Sequence, residues 1–193
     1  MNTQQFGPLI GLSITDPGAA ARQVIGAGLT RNTLWMALLL VSVLQALLFS
    51  LLPGLLVLPE PLQPIADNPL LMAMVVAGGI VIIAFVLTWA GTMIGGSGDL
   101  TAVLAVMTWM QVLRLVGILV SLGLSLLVPT LGAVASLVFG ILGIYIFVAM
   151  IDVAQGFNSR LKALFLIVFS FLAVSFGTSM ALALAAGLIL GMG

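Results

Sequence analysis

The sequence predicts an all-α polytopic membrane protein: five transmembrane helices preceded by a short interfacial helix. Three observations carry this. Of its 193 residues, 63% are hydrophobic and only 5% charged, against about 25% charged in soluble domains. Five apolar runs follow one another, each long enough to cross a hydrocarbon core about 30 Å thick. Prolines, glycines and most of the charges gather in the short stretches between those runs. The expected division is an N-terminal cytoplasmic segment over 1–30 and a membrane domain over 31–193, with spans at about 33–52, 70–94, 100–127, 130–155 and 160–190.

Residues 1–15 read as mixed and glycine-containing, with Met1–Gln5 loose. Asp16-Pro17 is a good cap and first-turn pair, so a short helix follows and ends near Gly26 or Gly28. Val24, Ile25 and Leu29 are expected to face lipid headgroups, with Arg22 and Gln23 toward water. Thr30 or Asn32 caps the first span, and Trp35 suits an interfacial position. Its exit, Pro53-Gly54, leads into a connection holding Pro59, Pro61, Pro64 and Pro69, stiff and extended by composition.

Asn68-Pro69 caps the second span, where Gly78 and Gly79 permit close helix approach. The turn Gly95-Gly96-Ser97-Gly98-Asp99 has neither the strand before it nor the lysine after it that a phosphate loop needs. Ser97 or Asp99 as an ordinary cap of the third span accounts for it. Pro129 stops the third span. In the fourth, Gly132, Ser136, Gly140 and Gly143 bring small residues to near-helical spacing, and Gly177 does the same in the fifth; these read as helix-packing positions. Gly156 ends the fourth span, and Asn158 or Ser159 caps the fifth.

No cysteine and no histidine is present, which removes disulfides, thiolate nucleophiles, imidazole bases and His or Cys metal sites. The basic residues are Arg22, Arg31, Arg114, Arg160 and Lys162. The acids are Asp16, Glu60, Asp67, Asp99 and Asp152. No two carboxylates stand at acid–base spacing and no basic patch exists, so the sequence offers no catalytic residue, cofactor site, metal site or nucleic-acid surface. The segment before the first apolar run lacks the order of a signal peptide. Arg22, Arg31, Arg160 and Lys162 all fall on one side of the membrane, which by the positive-inside rule puts the N-terminus in the cytoplasm and the C-terminus of five spans outside.

Arg114 is the anomaly. It lies about 20 Å along the third span, near the middle of the hydrocarbon core, where a guanidinium must face protein, water or lipid phosphate. Gln111 precedes it by one turn, and both side chains lean toward the cytoplasmic side. Asp152 is the one acid well inside an apolar run, but it sits near the inner end of the fourth span and leaves a gap of roughly 10 Å. Gln111, Arg114, Asp152 and Gln155 are therefore expected to form a polar notch open to the inner leaflet, touching a partner or lipid. Trp109, Met107 and Met110 read as packing.

The short helix before the first span, the five spans, Gly95-Gly96-Ser97-Gly98 leading to Trp109-Met110-Gln111-Val112-Leu113-Arg114, and Asp152-Val153-Ala154-Gln155-Gly156-Phe157 together resemble the bacterial branch of the Yip (Ypt-interacting protein) domain family. Nothing here matches the Asp-Leu-Tyr-Gly-Pro motif of the eukaryotic members, so their Rab-GTPase binding is not implied. The resemblance implies a non-enzymatic protein of the bacterial inner membrane that contacts lipids and acts through a membrane-protein partner or as a homo-oligomer. The alternative expectation is lipid or small-solute handling, by transport or scrambling, at the notch around Arg114.

Overall fold

The computed structural model describes residues 6–51, 65 and 67–191. Expectations for Met1–Gln5 and for most of the proline-rich connection lie outside the described residues. The helices are α1 (Phe6–Thr15), α2 (Pro17–Gly26), α3 (Arg31–Leu51), α4 (Pro69–Met93), α5 (Leu100–Leu127), α6 (Pro129–Gln155) and α7 (Arg160–Gly191). Stretches of α3 to α7 are long and apolar enough to cross a membrane.

The helix ends follow local chemistry. Asp16 Oδ1 accepts from Ala19 N–H at 2.9 Å and Asp99 Oδ1 from Ala102 N–H at 2.8 Å. Asn68 Oδ1 accepts from both Leu70 and Leu71 N–H. Each satisfies donors that a helix N-terminus leaves open. Thr30, rather than Asn32, caps α3 through its hydroxyl. Gly156 closes α6 with φ of 66°, a left-handed conformation that a side chain disfavours.

The spans form a closed circuit in which α3 packs on α4, α4 on α7, α7 on α6, α6 on α5 and α5 on α3, with α4 and α5 also touching across it. The main core lies toward the end that carries Arg31, Asp99 and Arg160, called the basic end below. There Val103, Leu104 and Val106 of α5, Met150 and Ile151 of α6, Leu87 of α4 and Leu166 of α7 are fully buried. Toward the opposite end, among the described residues, a second and smaller cluster of Ala46, Met72 and Ala73 joins α3 to α4.

Two readings of the N-terminal segment change. Residues 6–15 are helical despite Gly7, Pro8 and Gly11. Pro8 falls in the first turn, where its missing N–H is harmless. Leu9 is buried, so tertiary packing outweighs poor intrinsic propensity. Nor does α2 turn Val24 to headgroups. Ala20, Ala21 and Val24 are buried in the main core against α5 and α6, and Ile25 and Leu29 pack at its edge.

Candidate functional site

The residues expected to share one notch occupy three separate places. At the basic end, Gln155 is fully buried inside the glycine-rich turn between α4 and α5. Its Nε2 donates to the Leu87 carbonyl at 3.0 Å. Ser97 N–H donates to the Gln155 carbonyl at 2.8 Å. A Cβ added at Gly91 or Gly96 would stand 2.5 or 2.6 Å from Gln155 Oε1, and one at Gly98 would run into the Ala154 carbonyl. The glycines are therefore the mould for one amide side chain, and no phosphate is needed to explain them. Among the described residues Gln155 Oε1 finds no hydrogen-bond partner, and it faces this glycine wall.

Asp152 organises the next turn. Its Oδ1 accepts from Ser159 N–H at 2.8 Å, and its carbonyl accepts from Phe157 N–H at 3.1 Å. The carboxylate thus fixes the start of α7 rather than reaching toward Arg114. Alongside, Arg160 lies over the Tyr145 ring at 5.3 Å, an attraction between a cation and the negative ring face.

Gln111 meets a residue that sequence reasoning passed over. Gln45, fully buried on α3, donates its Nε2 to Gln111 Oε1 at 3.0 Å and to the Gln111 carbonyl at 3.3 Å. Both amides lie well inside their spans, where an unsatisfied polar group is costly, so the pair links α3 to α5. The available signal was Gln45 itself, a lone amide in an apolar span.

Arg114 stands apart from all three. It is exposed, and among the described residues it makes no hydrogen bond and no ion pair. A Cβ at Gly117 would meet Phe139 of α6 at 3.4 Å, which places Arg114 near the level of Leu142. Asp152 is then ten residues further along α6, about 15 Å away. Gln111 is held by α3, and Met107 and Ser121, each seven positions from Arg114 and so on nearly the same face of α5, are buried. Arg114 thus stands exposed on a face of α5 that is buried to either side of it along the helix.

Trp109 is packing, as expected, but against an unexpected element. Its Nε1–H donates to Ser13 Oγ at 2.9 Å, and the Phe6 ring meets it edge-on at 5.4 Å. Of the expected helix-packing positions, Gly132 is at a tight contact within the chain, where a Cβ would strike Ser125 and Ser121 of α5. Gly78, Gly79, Gly140 and Gly177 have open space where a Cβ would stand, and Ser136 is exposed. Among the described residues, Gly132 is the one of these positions that meets a neighbouring helix closely. Two shallow depressions at the basic end, about 450 Å³ beside Ile94, Lys162 and Phe165 and about 250 Å³ beside Val24, Asp99 and Thr101, include none of the notch residues.

No curated protein and no solved structure matches this chain. The model of the Yip1 domain matches residues 11–191, from the middle of α1 to the end of α7. Five spans capped by a packed N-terminal segment, matched over nearly their whole length, make this integral membrane protein a member of the Yip1 domain family.

Proposed function

We propose that this Yip1-domain protein is a non-enzymatic accessory protein that works by lateral contact between its helix faces and another membrane protein or a second copy of itself. One observation carries the reading. On α6, Ser136 and Gly140 are exposed, no atom of the described residues lies where a Gly140 side chain would stand, and large apolar residues such as Leu137 and Ile141 project beside them. In lipid, where apolar burial drives helices together little, small residues that let backbones approach are a principal source of association. Gly140→Leu in protein purified in gentle detergent, followed by mass spectrometry of what co-purifies and by measurement of oligomeric state, is the test. Loss of a co-purifying species or of self-association with unchanged thermal stability supports the reading; an unchanged profile counts against this face.

The four basic residues at one end favour an orientation with that end in the cytoplasm of a bacterial inner membrane. Lipid or small-solute handling has less support. It calls for Gln111, Arg114, Asp152 and Gln155 around a common space, whereas three of the four are engaged in separate contacts.

A further inference from the structure

Where α4 ends and α7 begins, at the basic end, a cleft of about 450 Å³ lies among Ile94, Leu161, Lys162 and Phe165. Three of its four lining residues are apolar, and its one charge is Lys162. The membrane-crossing stretch of α7 runs from Arg160 to Met180, so Lys162 stands about 3 Å from its start, at headgroup level. Phe165 and Phe169 follow about one and two turns deeper, their rings stacked with centroids 6.3 Å apart. They carry the apolar wall roughly 10 Å below Lys162. Other charges of that end are engaged elsewhere. Asp99 and Asp152 accept from the N–H groups of Ala102 and Ser159, and Arg160 lies over the Tyr145 ring of α6. Among the described residues no carboxylate lines the cleft.

A cation at the membrane surface over an apolar cleft is complementary to an anionic group carried on a hydrocarbon chain. Lys162 can lay its stem along the apolar wall and raise its ammonium to a phosphate, while an acyl chain continues down past Phe165 and Phe169. Free phosphate would leave those walls uncovered. A transmembrane helix, about 10–12 Å across with its side chains, would bridge a cleft whose α7 wall is the single turn from Leu161 to Phe165 rather than fill it. We propose that the α4–α7 cleft is a binding site for an anionic phospholipid, with its phosphate on Lys162 and one acyl chain against Ile94 and Phe165. The site goes beyond the lateral-contact reading and does not rest on it, since it is built by α4 and α7 whereas Ser136 and Gly140 belong to α6.

The test takes the full chain, delipidated in gentle detergent, and titrates it with phosphatidylglycerol and with phosphatidylcholine of identical acyl chains, while native mass spectrometry counts the lipids retained. Phosphatidylglycerol should bind about fivefold more tightly, the effect of one basic side chain beside an anionic lipid. Lys162→Gln should abolish that preference. Phe165→Ala, at an exposed position, should lower the affinity for both lipids, and Arg31→Gln, at the same end but outside the cleft, should change neither. Equal binding of the two lipids overturns the proposal, as does a preference lost equally in Arg31→Gln and Lys162→Gln, which would mean general surface charge. An affinity that Phe165→Ala leaves unchanged would put the lipid outside the cleft, and a preference that millimolar inorganic phosphate abolishes would assign Lys162 to free phosphate; either result overturns it. If Lys162→Gln alters the oligomeric state and not the lipid count, the cleft belongs to a second copy of the chain and the proposal falls. Gly140→Leu should leave lipid binding unchanged, so this site and the contact face on α6 fail separately.

Discussion

Ser13 accepts a hydrogen bond from the indole Nε1–H of Trp109 across 96 positions of sequence, at 2.9 Å. The same hydroxyl donates to the Leu9 carbonyl at 2.8 Å, so the contact fixes α1 internally as well as against α5. Trp109 is about nine residues into its span, or roughly 14 Å from its start. A segment that precedes every spanning helix is thereby held against the interior of the bundle.

Trp109→Phe keeps the ring and removes the donor, and should cost about 1 kcal/mol. Leu9→Ala, at a fully buried position, should cost about 2–5 kcal/mol. In both variants hydrogen exchange should rise first in residues 6–15. Uniform exchange across all helices instead would mean that α1 is not a separately docked element.

The mould around Gln155 predicts a graded response among glycines. Gly91→Ala and Gly98→Ala force a methyl group against the Gln155 amide or the Ala154 carbonyl, and each should lower stability by about 1–3 kcal/mol. Gly79→Ala, which meets open space on the same helix as Gly91, should be neutral or slightly stabilising, since alanine favours a helix by up to about 1 kcal/mol over glycine. Equal losses at Gly79 and Gly91, measured by thermal unfolding in one detergent, would mean that glycine acts here through the backbone and not through the fit to Gln155.

Gly132 and Gly140 are two turns apart in sequence and opposite in consequence. Gly132→Leu drives a side chain into Ser121 and Ser125 and should separate the α5–α6 hairpin, seen as a lower unfolding temperature. Gly140→Leu should leave that temperature unchanged.

How much was legible in the sequence follows from the range of each interaction. The ends of α4, α5 and α6 were readable at Asn68, Asp99 and Gly156 because a cap is settled within three or four residues. The spans were readable because lipid demands long apolar runs. Helix α1 was not, since Gly7, Pro8 and Gly11 argue against a helix locally and only the burial of Leu9 in the main core reverses that. Nor was the notch, because the polar residues of apolar runs do not by themselves say which pairs share a level. Gln111 finds Gln45 from a different span, and Gln155 finds the glycine turn 58 positions away.

The Gln45–Gln111 pair offers the cleanest check on whether polar residues here bind helices together. Gln45→Leu alone strips Gln111 of its donor, and Gln111→Leu alone leaves the buried Gln45 amide with only the residue 111 carbonyl to donate to. Each single change should therefore destabilise by about 1–3 kcal/mol. The double change removes both polar groups from an apolar setting and should recover much of that loss, a coupling of roughly 0.5–2 kcal/mol in a double-mutant cycle. Unfolding measured in bicelles by titration with denaturing detergent reads all four corners of the cycle. Strictly additive losses would mean that the two amides contribute by shape, and α3 would then be held to α5 by apolar packing alone.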